Sequence, residues 1–326
     1  MISRRQFSQA LAVAGLAAPV LTATAHASQP SWGPIKQVRA GLLDIGYAEL
    51  GPADGPVTIL LHGWPYDIHS YVDVAPRLAA QGRRVLIPYL RGYGTTRFLH
   101  SRTTRNGQQS ALAADVIAFM DALKIRKAAV AGFDWGARTA CITAALWPER
   151  VTALVSVSGY LVVNLQQNQE PLSPQAELGW WYQYYFATDR GVKGYEQNSY
   201  EFNKLIWKLA SPQWNFDEAT YAQSATAWKN PDHVAIVIHN YRWRLQLAPG
   251  EHRYDGFERR LQAKPVISVP TITIGSDFDG PNKDGAAYRK QFGGRYEHRV
   301  LDGIGHNVPQ EAPEAFAKAV LDVTAG

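Results

Sequence analysis

The sequence predicts an α/β fold, a doubly wound and mostly parallel sheet with a helical cap inserted between its two halves. Three observations predict it. Short, nearly uninterrupted apolar runs alternate with amphipathic stretches over residues 57–160, the pattern of parallel strands buried on both faces and joined by right-handed helical crossovers. The alternation then stops over residues 161–261, which are dense in Trp, Tyr, Gln and Asn. It resumes over residues 262–326, a stretch too short to complete a sheet of its own, so its strands must join the first set. With 46% hydrophobic and 19% charged residues in a chain of 326, there is material for one sizeable core.

The first 27 residues stand apart. Arg4 and Arg5 precede an apolar run near Leu11 to Leu21, which ends on Ala25-His26-Ala27. This is the layout of a twin-arginine export signal, so the chain is expected to be exported, to the periplasm or beyond, by engaging export machinery. Cleavage would leave Ser28 at the N-terminus of the exported product, which its mass would reveal. The run is shorter than the roughly 20 residues that span a bilayer, and no later segment reads as a span. Losing Arg4 and Arg5 lowers the net charge by two from +5. Arg97, Arg102 and Arg105 lack the density and aromatic platforms of a nucleic-acid groove, so no nucleic-acid partner is expected. Cys141 is the one cysteine, so the core rather than a disulfide must stabilise an exported chain.

After the signal, RAGLLDIGYAELG reads as an extended hairpin and VTILLHG (57–63) as the first buried strand. There follow a helix in YVDVAPRLAAQG, a strand in RRVLIPYL, a helix in QQSALAADVIAFMDAL, a strand in KAAVAGF, a helix in GARTACITAALW and a strand in VTALVSVSG. The core is therefore assigned to residues 28–160 and 262–326, with the cap at 161–261 carrying helices in ELGWWYQYYF and PDHVAIVIHNYRWRL. The second half supplies a strand in VPTITIGSD, a helix near AAYRKQFG, a strand in YEHRVLDG and a last helix in PEAFAKAVLDV.

The strongest chemical signal is Gly132-Phe133-Asp134-Trp135-Gly136, between a strand and a helix. A small-x-nucleophile-x-small turn lifts its central side chain above the sheet and aims the amides of the next helix at developing negative charge. Capping the helix alone would require no glycine on both sides of Asp134, so Asp134 is read as the nucleophile. His62-Gly63-Trp64-Pro65 follows the first buried strand, which makes the backbone amides of Trp64 and Trp135 the expected oxyanion donors and His62 a structural residue. Gly305-His306-Asn307 follows the last strand, and nucleophile first, histidine last is an order that makes His306 the base. The acid that orients it should follow the preceding strand, where Asp277 and Asp279 both qualify; Asp277, which ends the strand directly, is favoured and Asp279 is the alternative. A calcium loop is discounted because Pro281 and Tyr288 stand where ligands would be needed. No cofactor and no metal is expected. A carboxylate nucleophile suits attack on an sp3 carbon, leaving an alkyl ester that water hydrolyses with help from His306.

These motifs, together with Arg91-Gly92-Tyr93-Gly94, resemble the epoxide hydrolase and haloalkane dehalogenase branch of the α/β-hydrolase superfamily over essentially the whole mature chain. The resemblance implies an α/β-hydrolase fold and a small apolar epoxide or haloalkane as substrate, with water. In epoxide hydrolases two cap tyrosines donate to the epoxide oxygen, and WYQYYF and HNYRW carry that role over to Tyr182 and Tyr241. A haloalkane would need a halide cradle, for which Trp135 offers its indole N-H and Trp181 or Trp243 a second donor. Phe133 stands where epoxide hydrolases usually have histidine, and Trp135 where fluoroacetate-type dehalogenases carry an arginine. The other classes weighed are another hydrolase and a non-enzymatic scaffold that binds through its aromatic cap.

Overall fold

The computed structural model describes residues 32–325, so the export signal and the cleavage point before Ser28 lie outside the described residues. Among the described residues nine strands form one sheet: β1 (Lys36–Ala40), β2 (Leu43–Leu50), β3 (Val57–Leu61), β4 (Arg84–Pro88), β5 (Arg97–Phe98), β6 (Ala128–Gly132), β7 (Val151–Val157), β8 (Thr271–Ser276) and β9 (Tyr296–Leu301). Their order is β1-β2-β4-β3-β6-β7-β8-β9, with the short β5 paired to β2. The β1/β2 hairpin is antiparallel, β2 meets β4 antiparallel, and every pairing from β4 to β9 is parallel. The apolar runs read as fully covered strands are so: all of β6 and β8 is buried, as parallel strands under helices on both faces must be.

Helices Val74–Ala80 and Pro313–Thr324 pack together against the sheet, and Gln109–Ala122 packs with Trp135–Leu146 on the opposite side. β6 has no side chain larger than valine. That lets the Trp135–Leu146 helix press onto β3, β6 and β7. A Cβ on Gly136 would run into the Leu61 carbonyl, and one on Gly132 would meet the backbone of Gly136. The flanking glycines are therefore demanded by close approach of backbone to backbone.

Between β7 and β8 the chain builds the cap from helices Pro174–Gly179, Trp181–Ala187, Asp189–Ala210, Glu218–Ala225 and His233–Arg244, and then returns through Asp255–Gln262, which packs on the core helix Trp135–Leu146. Two local expectations need correction. ELGWWYQYYF is two helices, broken at Trp180 (φ −108°, ψ 18°). AAYRKQFG is a 3-10 segment (Ala286–Gln291), entered through Gly285 at φ 72° and ended where Phe292 is drawn into a β-bridge with Ile267. No helix among the described residues is long and apolar enough to cross a membrane.

Candidate active site

Asp134 sits between β6 and its following helix at φ 51°, ψ −126°, a conformation costly for a residue with a Cβ and held only because the glycines on either side let strand and helix close around it. A Cβ on Gly63 would collide with the Asp134 side chain, so the β3 loop also needs its glycine to approach. That approach delivers a bond: the Trp64 amide donates to Asp134 Oδ1 at 2.7 Å. Burial pushes the Asp134 carboxyl up, but His306 and the backbone amides of Trp135 and Trp64 outweigh it and hold the group below its usual range. Trp64, Trp135, Asp134 and His306 are thus brought to one point. His306 Nε2 lies 3.3 Å from Asp134 Oδ2.

His62 is buried; its Nε2 accepts from the Leu90 amide at 3.2 Å and its Nδ1 meets the Gly63 carbonyl. Burial pushes it down to about 4, so it is a neutral strut under the oxyanion loop.

Neither acidic candidate reaches the other face of His306. Its Nδ1 is buried without a hydrogen-bond partner. Asp277 is engaged at both oxygens, by Lys283 Nζ at 3.1 Å and by the Gly303 amide at 2.9 Å. Lys283 first and Gly303 second hold its carboxyl below the usual range. Asp279 accepts from the Ser276 amide through Oδ2 at 2.9 Å. The residue between them, Phe278, lies on the imidazole instead, with ring centroids 4.0 Å apart.

The cap closes over this centre. Tyr182 and Tyr241 are 8% and 1% exposed, their rings 5.4 Å apart and nearly perpendicular, and each packs on Trp64 at 5.0 and 5.2 Å. Burial first, then neighbours that include Asp134, raises both phenols, so both remain protonated donors at neutral pH. Trp135 Nε1 is buried with no hydrogen-bond partner. A cavity of about 400 Å³ opens onto Asp134 and His306 between Trp181, Tyr182, Leu178, Ile206 and Leu209, a volume suited to a small organic ligand. Trp181 lines it; Trp243 lines a separate hollow with Leu165 and Leu247 and is not brought to this site. No group of three or more His, Cys, Asp or Glu side chains that could hold a metal ion occurs among the described residues.

Several contributors were not singled out in the sequence. Glu311 Oε1 accepts from Ser211 Oγ at 2.6 Å and the Asn307 amide at 2.9 Å, and its Oε2 accepts from the Gly305 amide at 2.8 Å. Ser211 Oγ in turn accepts from the His306 amide at 2.9 Å, tying the end of the cap helix Asp189–Ala210 to the histidine loop. Tyr195 takes the Trp64 indole N-H at 2.9 Å and Trp207 donates to the Pro65 carbonyl at 2.9 Å. Glu311 closes the short helix Val308–Glu311 that follows the histidine, and its place five residues after His306 was a usable signal. Nothing in the aromatic-rich cap sequence distinguishes Tyr195 or Trp207 from the other rings.

Residues 56–199 match the α/β hydrolase fold family. The chain is 34% identical to epoxide hydrolase B of Mycobacterium tuberculosis, over 83% of this chain and 92% of that one. It is also 34% identical to a haloalkane dehalogenase of Mycobacterium marinum, over a shorter stretch covering 36% of this chain and 39% of the other. A solved structure from Klebsiella pneumoniae, provisionally named an epoxide hydrolase, superposes with a TM-score of 0.88 at 60% identity, covering 90% of this chain and 98% of that one. The chain is an enzyme of the α/β-hydrolase superfamily and belongs to its epoxide hydrolase and haloalkane dehalogenase branch.

Proposed function

We propose that the enzyme opens an epoxide to a vicinal diol through an ester on Asp134. The observation that carries this reading is the pair of buried, protonated phenols, Tyr182 and Tyr241, packed together on Trp64 beside the depressed carboxylate of Asp134. Asp134 Oδ2 attacks an epoxide carbon, the carbon–oxygen bond breaks, and the departing oxygen takes a proton from one of the two phenols. Oδ1, already held by the Trp64 amide, becomes the ester carbonyl oxygen. His306 Nε2 then removes a proton from water as its oxygen adds to the ester carbonyl carbon, with the Trp64 and Trp135 amides stabilising the oxyanion. Collapse breaks the bond to the diol oxygen, which takes the proton of the added hydroxyl and leaves Asp134 as a carboxylate, and the proton on His306 returns to the phenolate. The sum is epoxide plus water giving diol.

For the acid we infer Asp279 in preference to Asp277. Both oxygens of Asp277 are bonded, one of them to a lysine, whereas Asp279 commits Oδ2 to a backbone amide and turning it toward His306 breaks no ion pair.

A second reading, haloalkane dehalogenation, is favoured by one specific observation, the unpartnered indole N-H of Trp135. A matched panel of terminal epoxides and haloalkanes, with diol and halide release measured separately in wild type, Tyr182→Phe and Tyr241→Phe, decides between them. Each lost hydroxyl should cost about 1–3 kcal/mol of transition-state stabilisation, roughly five- to more than a hundredfold in diol formation. Halide release indifferent to both substitutions, with no epoxide turnover, would transfer the assignment to the dehalogenase.

A further inference from the structure

Trp64 serves the site twice. Its amide donates to Asp134 Oδ1 at 2.7 Å, and its ring is the platform on which Tyr182 and Tyr241 pack. A buried tryptophan keeps its place when its indole N-H finds an acceptor. Here the acceptor is the Tyr195 hydroxyl, at 2.9 Å. Tyr195 lies on the cap helix Asp189–Ala210, and its oxygen is also 3.0 Å from Nε2 of His233, the first residue of the helix that carries Tyr241. On its other side, His233 Nδ1 lies 3.0 Å from the Gly92 carbonyl. Trp64, Tyr195 and His233 are all buried.

Elimination fixes the direction of every bond in this chain. A carbonyl only accepts, so His233 Nδ1 carries a proton and donates it to Gly92. Burial pushes the imidazole down to about 3, so His233 is neutral at ordinary pH and its Nε2 is a bare acceptor. An indole N-H only donates, so the Tyr195 oxygen accepts from Trp64 and sends its one hydrogen to His233 Nε2. A single hydroxyl therefore joins the Trp64 loop, the long cap helix and the helix of Tyr241. Neither Tyr195 nor His233 lines the cavity, whereas Trp64 does, so any influence of the pair on bound substrate passes through Trp64.

We propose that Tyr195, aimed by His233, is a positioning residue: it locks the Trp64 indole and thereby sets both the amide on Asp134 and the platform beneath the two phenols. The catalytic half of this assignment rests on the epoxide reading above; the placement of the Trp64 amide does not. Without the hydroxyl, the Trp64 indole N-H and His233 Nε2 are both left buried and unpaired, and Trp64 must turn to relieve that cost. The amide on Asp134 turns with it.

Hydrogen exchange reads that amide without any substrate. In Tyr195→Phe the amide of residue 64 should exchange about tenfold or more faster while the amides of β6 keep their wild-type rates, whereas a loss of stability alone would speed both alike. With a terminal epoxide, the saturating rate of ester formation should fall about tenfold or more and the half-saturating concentration should change little, because Tyr195 lies outside the cavity. Burial raises the Asp134 carboxyl, and the Trp64 amide acts with His306 and the Trp135 amide to hold it low, so the acid limb of ester formation should move to higher pH. In a Trp64→Phe background, which has no indole N-H to hold, Tyr195→Phe should cost ester formation less than about twofold. An unmoved amide at residue 64, or the same fall in both backgrounds, would overturn the proposal. If no epoxide is turned over, the epoxide reading falls and hydrogen exchange still decides the positioning role. Should Tyr195→Phe fail to fold, His233→Leu keeps the oxygen for the indole and removes only the acceptor that aims it. Exchange at residue 64 should then quicken by about threefold against constant β6 amides, and no change there would equally overturn the proposal.

Discussion

Around Asp134 the groups expected of a nucleophile site are engaged: the Trp64 amide holds Oδ1, His306 faces Oδ2, and the strained backbone is locked between two glycines. Around the far side of His306 the reverse holds, with Nδ1 bare and both nearby aspartates bonded elsewhere. The physical difference between the two sides is the kind of element that builds them. Asp134 and Trp64 hang from the ends of β6 and β3, neighbours in the buried sheet, whereas residues 277–282 form a 3-10 turn interrupted at Gly280 (φ 55°, ψ −126°) and outside the sheet. Under the proposed mechanism, rigid strands place the groups that form the ester and a surface turn places those that help hydrolyse it. The two half-reactions should therefore respond to different substitutions.

The largest effect belongs to the centre itself. Asp134→Ala should abolish turnover while leaving a folded chain, and His306→Gln should form the ester yet hydrolyse it about a thousandfold or more slowly. Intact mass after mixing with an epoxide reads this directly, and rapid product without an adduct in the histidine variant would remove both roles. The pH dependence has a defined sign. With the Asp134 carboxyl held low by His306 and the amides, ester formation in wild type should persist below the ordinary aspartate value of about 3.9. His306→Gln removes the leading causes of that depression, so the acid limb of ester formation should move to higher pH, and an unmoved limb would contradict the coupling.

The acid turn comes next in size. Asp279→Asn should slow ester hydrolysis by about ten- to a hundredfold with ester formation little changed, since a misoriented imidazole still leaves Asp134 ionised. Asp277→Asn should cost less than about threefold, because its exposed ion pair with Lys283 contributes little. The opposite ranking in single-turnover measurements would return the acid role to Asp277.

The same division explains how much could be read from the sequence. The meeting of Asp134 with the Trp64 loop was legible because backbone geometry demands a residue pattern: glycines at 63, 132 and 136 mark where chain must approach chain, and those contacts exist; His306 was read only from its place after the last strand. The sheet was legible because parallel strands covered on both faces must be apolar throughout. Asp277 and Asp279 could not be separated, since two aspartates of one turn differ by which way a side chain rotates rather than by any property of the pattern. In the cap, Tyr182 and Tyr241 could be carried over from a resemblance, but the 22-residue helix Asp189–Ala210 and its kink at Asn198 obey packing against Trp64 and Pro65 that no local periodicity announces.

The smallest effect expected is also the one that links cap to base. Glu311 receives the amides of Gly305 and Asn307 and the hydroxyl of Ser211, whose oxygen receives the amide of His306. Three consecutive amides of the histidine loop are thus fixed, directly or through Ser211, by one carboxylate. Glu311→Gln preserves size but replaces one acceptor oxygen with a donor facing donors, so part of the cradle must open at a cost of about 1–3 kcal/mol in stability. If the cradle only holds the fold together, ester formation and ester hydrolysis should fall in parallel. If it positions the imidazole, hydrolysis should slow by roughly five- to tenfold while ester formation changes by less than about twofold, because only the second step calls on His306 to take a proton. Ser211→Ala should show the same asymmetry more weakly, since the amides of Gly305 and Asn307 keep their acceptor. A ratio of the two rates that stays at the wild-type value in both variants would reduce Glu311 to a structural residue and uncouple the cap from the base.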